Sequence, residues 1–149
     1  MWTFCSLIRN AKSRYIMMPL RIYHLSGVLW TLGSVIHGKT CVVLETVSTL
    51  GILEAIQEYG PGTFCGFPSF VVTFAQKLTE NGNTCRSVTN ILTSGETLNS
   101  VGIKTLRVAF PSLRHIDVSF CMAELLSVTS TIPFMETEHQ NEPTASTLL

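Results

Sequence analysis

Charge is what this sequence has least of. Asp, Glu, Lys and Arg make up only 13 % of its 149 residues, about half the usual quarter, while the hydrophobic share of 46 % is ordinary. Such a chain has little material for a solvated surface. Either it associates with a membrane, or part of its apolar surface normally faces a missing part of a larger domain. A long hydrophobic run is also lacking. The most apolar stretch, Leu25 to Ile36, is interrupted by Ser26, Gly27, Thr31, Gly33 and Ser34 and flanked by His24 and His37. A membrane span needs about 20 apolar residues, so no transmembrane segment is expected and a buried helix fits better. Net charge is lacking too, since Lys and Arg equal Asp and Glu in number. No strong field draws the chain to nucleic acid, which is not an expected partner. Acids are absent before Glu45, whereas Arg9, Lys12, Arg14, Arg21 and Lys39 precede it. That start is open to two readings, a transit peptide or a short irregular leader over residues 1–14 at a truncated end. Met1 to Cys5 is followed by no apolar run long enough for a secretory signal.

Paired cysteines are missing as well. Cys5, Cys41, Cys65, Cys85 and Cys121 are odd in number and none has CxxC spacing, which argues against a disulfide framework and a structural metal. An intracellular reducing compartment (cytoplasm, peroxisome or mitochondrion) is the default. Neither GxxxxGK[ST] nor GxSxG occurs, so a P-loop and a serine-hydrolase elbow have no support. His37, His115 and His139 show no metal spacing.

What is present alternates between short apolar runs and helical patterns. Gly27 to His37 reads as a helix apolar on nearly all faces, hence buried, with Gly38 closing it. Thr40 to Leu44 is continuous and rich in β-branched residues, as in strands covered on both faces. Leu50, Leu53, Ile56 and Tyr59 form a helical stripe ended by Gly60-Pro61-Gly62. Thr63 to Phe67 reads as a buried strand, and Pro68 and Ser69 open a helix with stripe Phe70, Phe74 and Leu78. Val88 to Leu92 is the next strand, followed by the polar loop Thr93 to Thr97. Asn99 or Ser100 caps a helix whose inward face is Ile103, Leu106 and Phe110. His115 to Val118 is a further strand, Ser119 to Glu124 a loop, and Ser127 to Ile132 one more strand. Residues 15–132 thus form one partial α/β domain, and residues 133–149 a polar, poorly ordered tail. The β-α-β-α order implies a parallel sheet with helices on its faces. Ligands bind such sheets outside the carboxyl ends of the strands, where the loops Thr93 to Thr97 and Ser119 to Glu124 lie.

At these loops the sequence resembles the adenylate-forming superfamily, which includes acyl-CoA synthetases, 4-coumarate-CoA ligases, firefly-type luciferases and peptide-synthetase adenylation domains. Three segments carry the resemblance: Met18 to Gly33 (MPLRIYHLSGVLWTLG), Ile91 to Leu98 (ILTSGETL) and His115 to Glu124 (HIDVSFCMAE). In the family the first holds a pocket histidine before a buried helix. The second is a glycine-rich loop of the form SGGAPL or SGGETL, and the third a motif of the form GYGxTE. The resemblance implies an acyl pocket at His24, Ser94 and Gly95. It implies a nucleotide site at Gly95, Glu96, Thr97, Phe120 and Ala123, and a magnesium carboxylate at Glu124. ATP and Mg2+ would be the cofactors, and a carboxylic acid and coenzyme A the other small-molecule partners. Phe120 would stack on adenine. Without the resemblance, Glu96 reads as a cap for the helix after it.

The departures shape the functional expectation. Ala123 stands where a threonine hydroxyl normally meets phosphate, Cys121 and Ser94 replace glycines, and Arg21 replaces an apolar residue or proline. Losing one donor at a developing charge costs roughly a hundredfold in rate or more. The family's Ser/Thr/Gly-rich phosphate loop, its ribose aspartate and its lysine-bearing C-terminal domain have no counterpart here. The expectation is therefore an internal fragment of an acid–thiol ligase, inactive alone and with no catalytic residue assigned. The alternative is a non-catalytic protein of the same fold that binds an acyl ligand or a protein partner.

Overall fold

In the computed structural model the described residues are 8, 13–120 and 129–130, with backbone only for Phe120 and for 129–130. The elements are β1 (Tyr15–Met17), α1 (Leu25–Ile36), β2 (Thr40–Val42), α2 (Thr49–Tyr59), β3 (Thr63–Gly66), α3 (Pro68–Glu80), β4 (Asn90–Ser94), α4 (Ser100–Ala109), β5 (His115–Phe120) and β6 (Thr129–Ser130). The sheet order is β2-β1-β3-β4-β5-β6. Strands β1 to β5 are parallel, and β6 runs antiparallel to β5. The α/β, parallel-sheet class expected from the sequence is the one observed.

The chain steps from β1 outward to β2, then crosses back over β1 to β3 and continues the other way. Right-handed crossovers in opposite directions put α1 on one face of the sheet and α2, α3 and α4 on the other. The packing agrees. Met17, Phe64, Ile91 and Ile116 lie in one apolar cluster with Ile52, Phe74, Leu78 and Leu106 from those three helices. Ile16, Cys65 and Leu92 lie in a second cluster with Trp30 of α1 and with Ile8. Alternate residues of each strand thus face opposite layers. The first cluster is centred on Phe64, Phe74 and Phe110, whose ring centroids are 5.4 to 6.4 Å apart.

Several expectations are corrected by this arrangement. Helix α1 is not buried all round. It buries Ser26, Gly27, Trp30, Gly33 and Ser34 and exposes Val28, Leu32, Val35 and Ile36. Small residues face inward because the approach is close: a Cβ on Gly33 would come within 2.8 Å of Ile8 Cδ1, and one on Gly27 would collide with the Arg21 carbonyl oxygen. Strand β2 is not covered throughout: among the described strands it stands at the edge of the sheet, with Thr40 exposed, Cys41 half-buried and only Val42 buried. In α2 the inward residues are Ile52, Ala55 and Ile56, while Leu50 and Tyr59 are exposed. Steps of three residues fall about 60° short of a turn, so the ends of that stripe point apart.

Strand β4 begins at Asn90, where β3 begins at Thr63 to pair with it, and it continues to Ser94. Strand β5 runs to Phe120. Ser94, Ser119 and Phe120 are therefore strand residues rather than loop residues. Gly38, Gly60 and Gly82 adopt the left-handed φ their turn positions require. Asn99 caps α4, its Oδ1 accepting from Gly102 N–H at 2.8 Å.

Candidate functional site at the carboxyl ends of the strands

In a sheet of this order the switch point lies between β1 and β3, where successive connections leave in opposite directions, and ligands bind there. Two segments flank it: Met18 to His24 after β1, and Phe67 after β3. His24 is the N-cap of α1, and its Nδ1 accepts a hydrogen bond from Ser26 N–H at 3.3 Å. That bond leaves the proton on Nε2 when the ring is neutral. The His24 ring is exposed and meets Phe67 edge to face, with centroids 5.3 Å apart and planes at 83°.

Phe67 also touches the third element of the site. Gly95 follows β4 directly, with φ of +87°, and a Cβ there would sit 3.2 and 3.3 Å from the Phe67 ring. Only glycine combines that φ with so close an approach at low cost. His24 and Gly95, distant in sequence, are thus joined through one aromatic ring. Phe67 received no role from the sequence beyond its place in a strand-to-helix turn. Its signal was position, since it is the residue leaving β3 at the switch point.

Glu96 lies beside this contact but does not cap the helix after it, as the sequence suggested. Its Oε2 accepts from Ser69 N–H and its Oε1 from the Ser69 hydroxyl, each at 2.9 Å. Phe67, the N-cap of α3, has no side chain able to accept, and Pro68 brings no N–H. Glu96 therefore supplies the anionic cap to α3 from another loop. Its two oxygens are engaged in the fold. Thr97 is exposed in the same loop.

Ser94 is fully buried at the end of β4, pairs in register with Ser119, and its Oγ has no hydrogen-bond partner. Phe120 follows Ser119 as the last residue of β5. Cys121, Ala123 and Glu124 lie outside the described residues. Among the described residues no cluster of three or more His, Cys, Asp or Glu is arranged to hold a metal ion. No described helix is long and apolar enough to cross a membrane. Cys41, Cys65 and Cys85 are free thiols, and burial pushes that of Cys85 up to about 11. They pack as small apolar residues.

Asp117 is the polar residue that the sequence reading passed over. It sits in β5, is 6 % exposed, and its Oδ1 has no hydrogen-bond partner. Burial raises its carboxyl to about 6. The signal was available, because an acid between Ile116 and Val118 in an apolar strand is out of place.

A separate concavity of about 470 Å³ lies along the outer edge, lined by β2 and α2 residues including Cys41, Leu44, Glu54 and Tyr59. It contains no residue of the three motif segments and lies away from the switch point.

The family model described as AMP-binding enzyme matches residues 1–149. Comparison with curated proteins gives no match. Among solved structures, O-succinylbenzoate coenzyme A synthetase (MenE) from Bacillus subtilis, in complex with ATP and magnesium ion, superposes with a TM-score of 0.67 at 21 % identity. It covers 87 % of this chain and 26 % of its own. The luciferase-like enzyme from the nonluminescent Zophobas morio mealworm gives 0.69 at 19 % identity, covering 85 % and 29 %. VinN gives 0.68 at 17 % identity, covering 80 % and 29 %. The chain thus spans under a third of the length of these structural relatives.

Proposed function

Because this chain belongs to the AMP-binding enzyme family, we propose that its switch-point edge is one wall of an acyl-adenylate site. The parent activity is ATP-dependent activation of a fatty or aryl carboxylic acid as acyl-AMP, followed by transfer to coenzyme A. The observation that carries this reading is the contact of His24 and Gly95 through Phe67, which joins two of the family-like segments at the place where such sheets bind ligands.

In this reading His24, Ser94 and Gly95 line the acyl side. The missing Cβ of Gly95 lets the Phe67 ring close against this loop, so that ring and loop form one continuous wall. By resemblance Gly95, Glu96, Thr97, Phe120 and Ala123 are assigned to the nucleotide side. Glu96 contributes by holding its loop against α3, since both its oxygens are bound to Ser69. By resemblance Glu124 is the magnesium carboxylate, and a hard divalent cation there offsets charge on phosphate oxygens. Ala123 offers no hydroxyl to that charge. In this reading the described elements contribute one binding wall of the site, and the alanine at 123 argues for slow chemistry at most.

Two measurements test this on the purified 149-residue protein. A non-hydrolysable acyl-adenylate mimic, octanoyl-sulfamoyl-adenosine, is expected to bind saturably by calorimetry. No pyrophosphate is expected from ATP, magnesium and fatty or aryl acids. Flat titrations with this mimic and with its 8-aminooctanoyl counterpart would together sink the site assignment, and robust acid-dependent pyrophosphate release would sink the claim of inactivity. The second reading, a non-catalytic binding protein, is favoured by Ala123 and Cys121. It predicts binding of the free acid with no dependence on the nucleotide moiety.

A further inference from the structure

Among the described residues, most side-chain polar atoms that are buried without partners fall in one part of the sheet. Four of the six found among the described residues belong to Thr63, Ser94, His115 and Asp117. Strand alternation puts all four on the same face of β3, β4 and β5, the face that carries Cys65 and Leu92 and packs toward α1. Thr63 and Ser94 are fully buried and Asp117 nearly so. Native structures leave few such groups unpaired, and each one is costly. Several on one face are accounted for when something else supplies the partners.

Ser94 and Asp117 relate to the carboxyl edge of the sheet, whereas Thr63 and His115 open β3 and β5 at its other end. Ser94 and Ser119 form the last pair of β4 and β5 before the strand ends. Asp117 is two residues further in on the same face, about 7 Å from the rim, and stands opposite Leu92. A ligand entering from the rim along this face would pass Ser94 and Ser119 and then meet a carboxyl. The hydroxyls of Ser94 and Thr63 are uncharged. His115, half-buried, lies another two residues inward, away from the rim.

We infer that the acid accepted at this site carries an ammonium group at its distal end, which is held by Asp117. The inference rests on the acyl-pocket reading above. An ammonium brings three donors and a positive charge. Asp117 supplies the anionic acceptor, and Ser94 supplies a hydroxyl nearer the rim. A plain hydrocarbon tail would leave Asp117 Oδ1 desolvated and without a partner, which selects against it. With a carboxyl raised only to about 6, Asp117 is mostly ionised at neutral pH and attracts a cation there.

The experiment compares matched adenylate mimics on the full 149-residue chain: hexanoyl- and octanoyl-sulfamoyl-adenosine against their 6-aminohexanoyl and 8-aminooctanoyl counterparts. One aminated mimic is expected to bind roughly tenfold or more tighter than its plain partner, as a charge-assisted hydrogen bond allows. In Asp117→Asn the ratio should fall to near one. Because a ratio is read within one protein, modest changes in stability do not mimic the effect. Equal binding of plain and aminated mimics by the native chain overturns the inference and leaves the pocket reading standing. A preference that persists in D117N overturns the role of Asp117. Binding of neither series overturns the pocket reading and this inference with it.

Discussion

The two faces of the sheet are built on different terms. On the face that carries α2, α3 and α4, Phe64, Phe74 and Phe110 stack around Ile91, Leu106 and Ile116 in a continuous apolar cluster. On the other face, under α1, Thr63, Ser94 and Asp117 are just as buried yet hold polar atoms without partners. The strands are the same, since neighbouring residues of one strand serve each face. The first face follows from burying apolar area, at roughly 25 cal/mol per Å². The second runs against that tendency, because desolvating an unpaired polar group is unfavourable. A sheet that accepts this cost on one face only has that face shaped by something other than stability.

The largest effect separates the faces directly. Phe64→Ala removes the centre of the aromatic cluster and should lower unfolding stability by about 3–5 kcal/mol. Its immediate neighbour Thr63 points to the opposite face with its Oγ1 unpartnered. Thr63→Val keeps the shape and removes only the stranded hydroxyl, so stability should hold or rise by up to about 1 kcal/mol. Denaturant unfolding followed by circular dichroism reads both. Similar losses at the two positions would erase the distinction between the faces.

A smaller effect follows from Asp117. Its folded-state carboxyl is raised to about 6 by burial, against about 3.9 in an unfolded chain. Between those values the folded state binds more protons than the unfolded one, so stability falls as pH rises. The contribution of Asp117 is fully present below about pH 4, declines between about pH 4 and 6, and is lost above. Two pH units set its upper size at about 3 kcal/mol. Asp117→Asn should flatten that part of the stability profile and leave the protein more stable at pH 7. An unchanged slope in the variant would show that the buried carboxyl does not control it.

The first face was far more legible in the sequence than the second. Its residues are apolar at helical and strand periods, so α3, α4 and the buried strand β3 could be read almost to their ends. Where periodicity misled, the cause was tertiary. Helix α1 looked apolar all round because composition does not reveal that Gly27 and Gly33 let a narrow strip approach the sheet. Strand β2 looked covered on both faces because continuity marks a β-branched run and says nothing about its neighbours. On the site side, His24 and the Ser94 to Thr97 loop could be singled out, but not what joins them. The ring of Phe67 between His24 and Gly95, and the bond from Glu96 to Ser69, depend on two strand ends lying side by side. That adjacency is a property of strand order, and local sequence carries little of it.

Gly95 gives the smallest effect and the one closest to the site. Alanine there would have to adopt φ of +87° and place its Cβ 3.2 Å from the Phe67 ring. A left-handed φ on a residue with a side chain costs roughly 1–2 kcal/mol. The Phe67 ring can move aside only by disturbing its contact with His24. Gly95→Ala should therefore lower stability by about 1–2 kcal/mol while weakening octanoyl-sulfamoyl-adenosine binding further than that loss alone explains. Gly82 is the control, because it has φ of +69° with open space around its Cβ position. Gly82→Ala should show the backbone cost and leave binding untouched. If the two alanines behave alike in the titration, the rim at Gly95 is only a turn, and the contrast between the faces concerns folding alone.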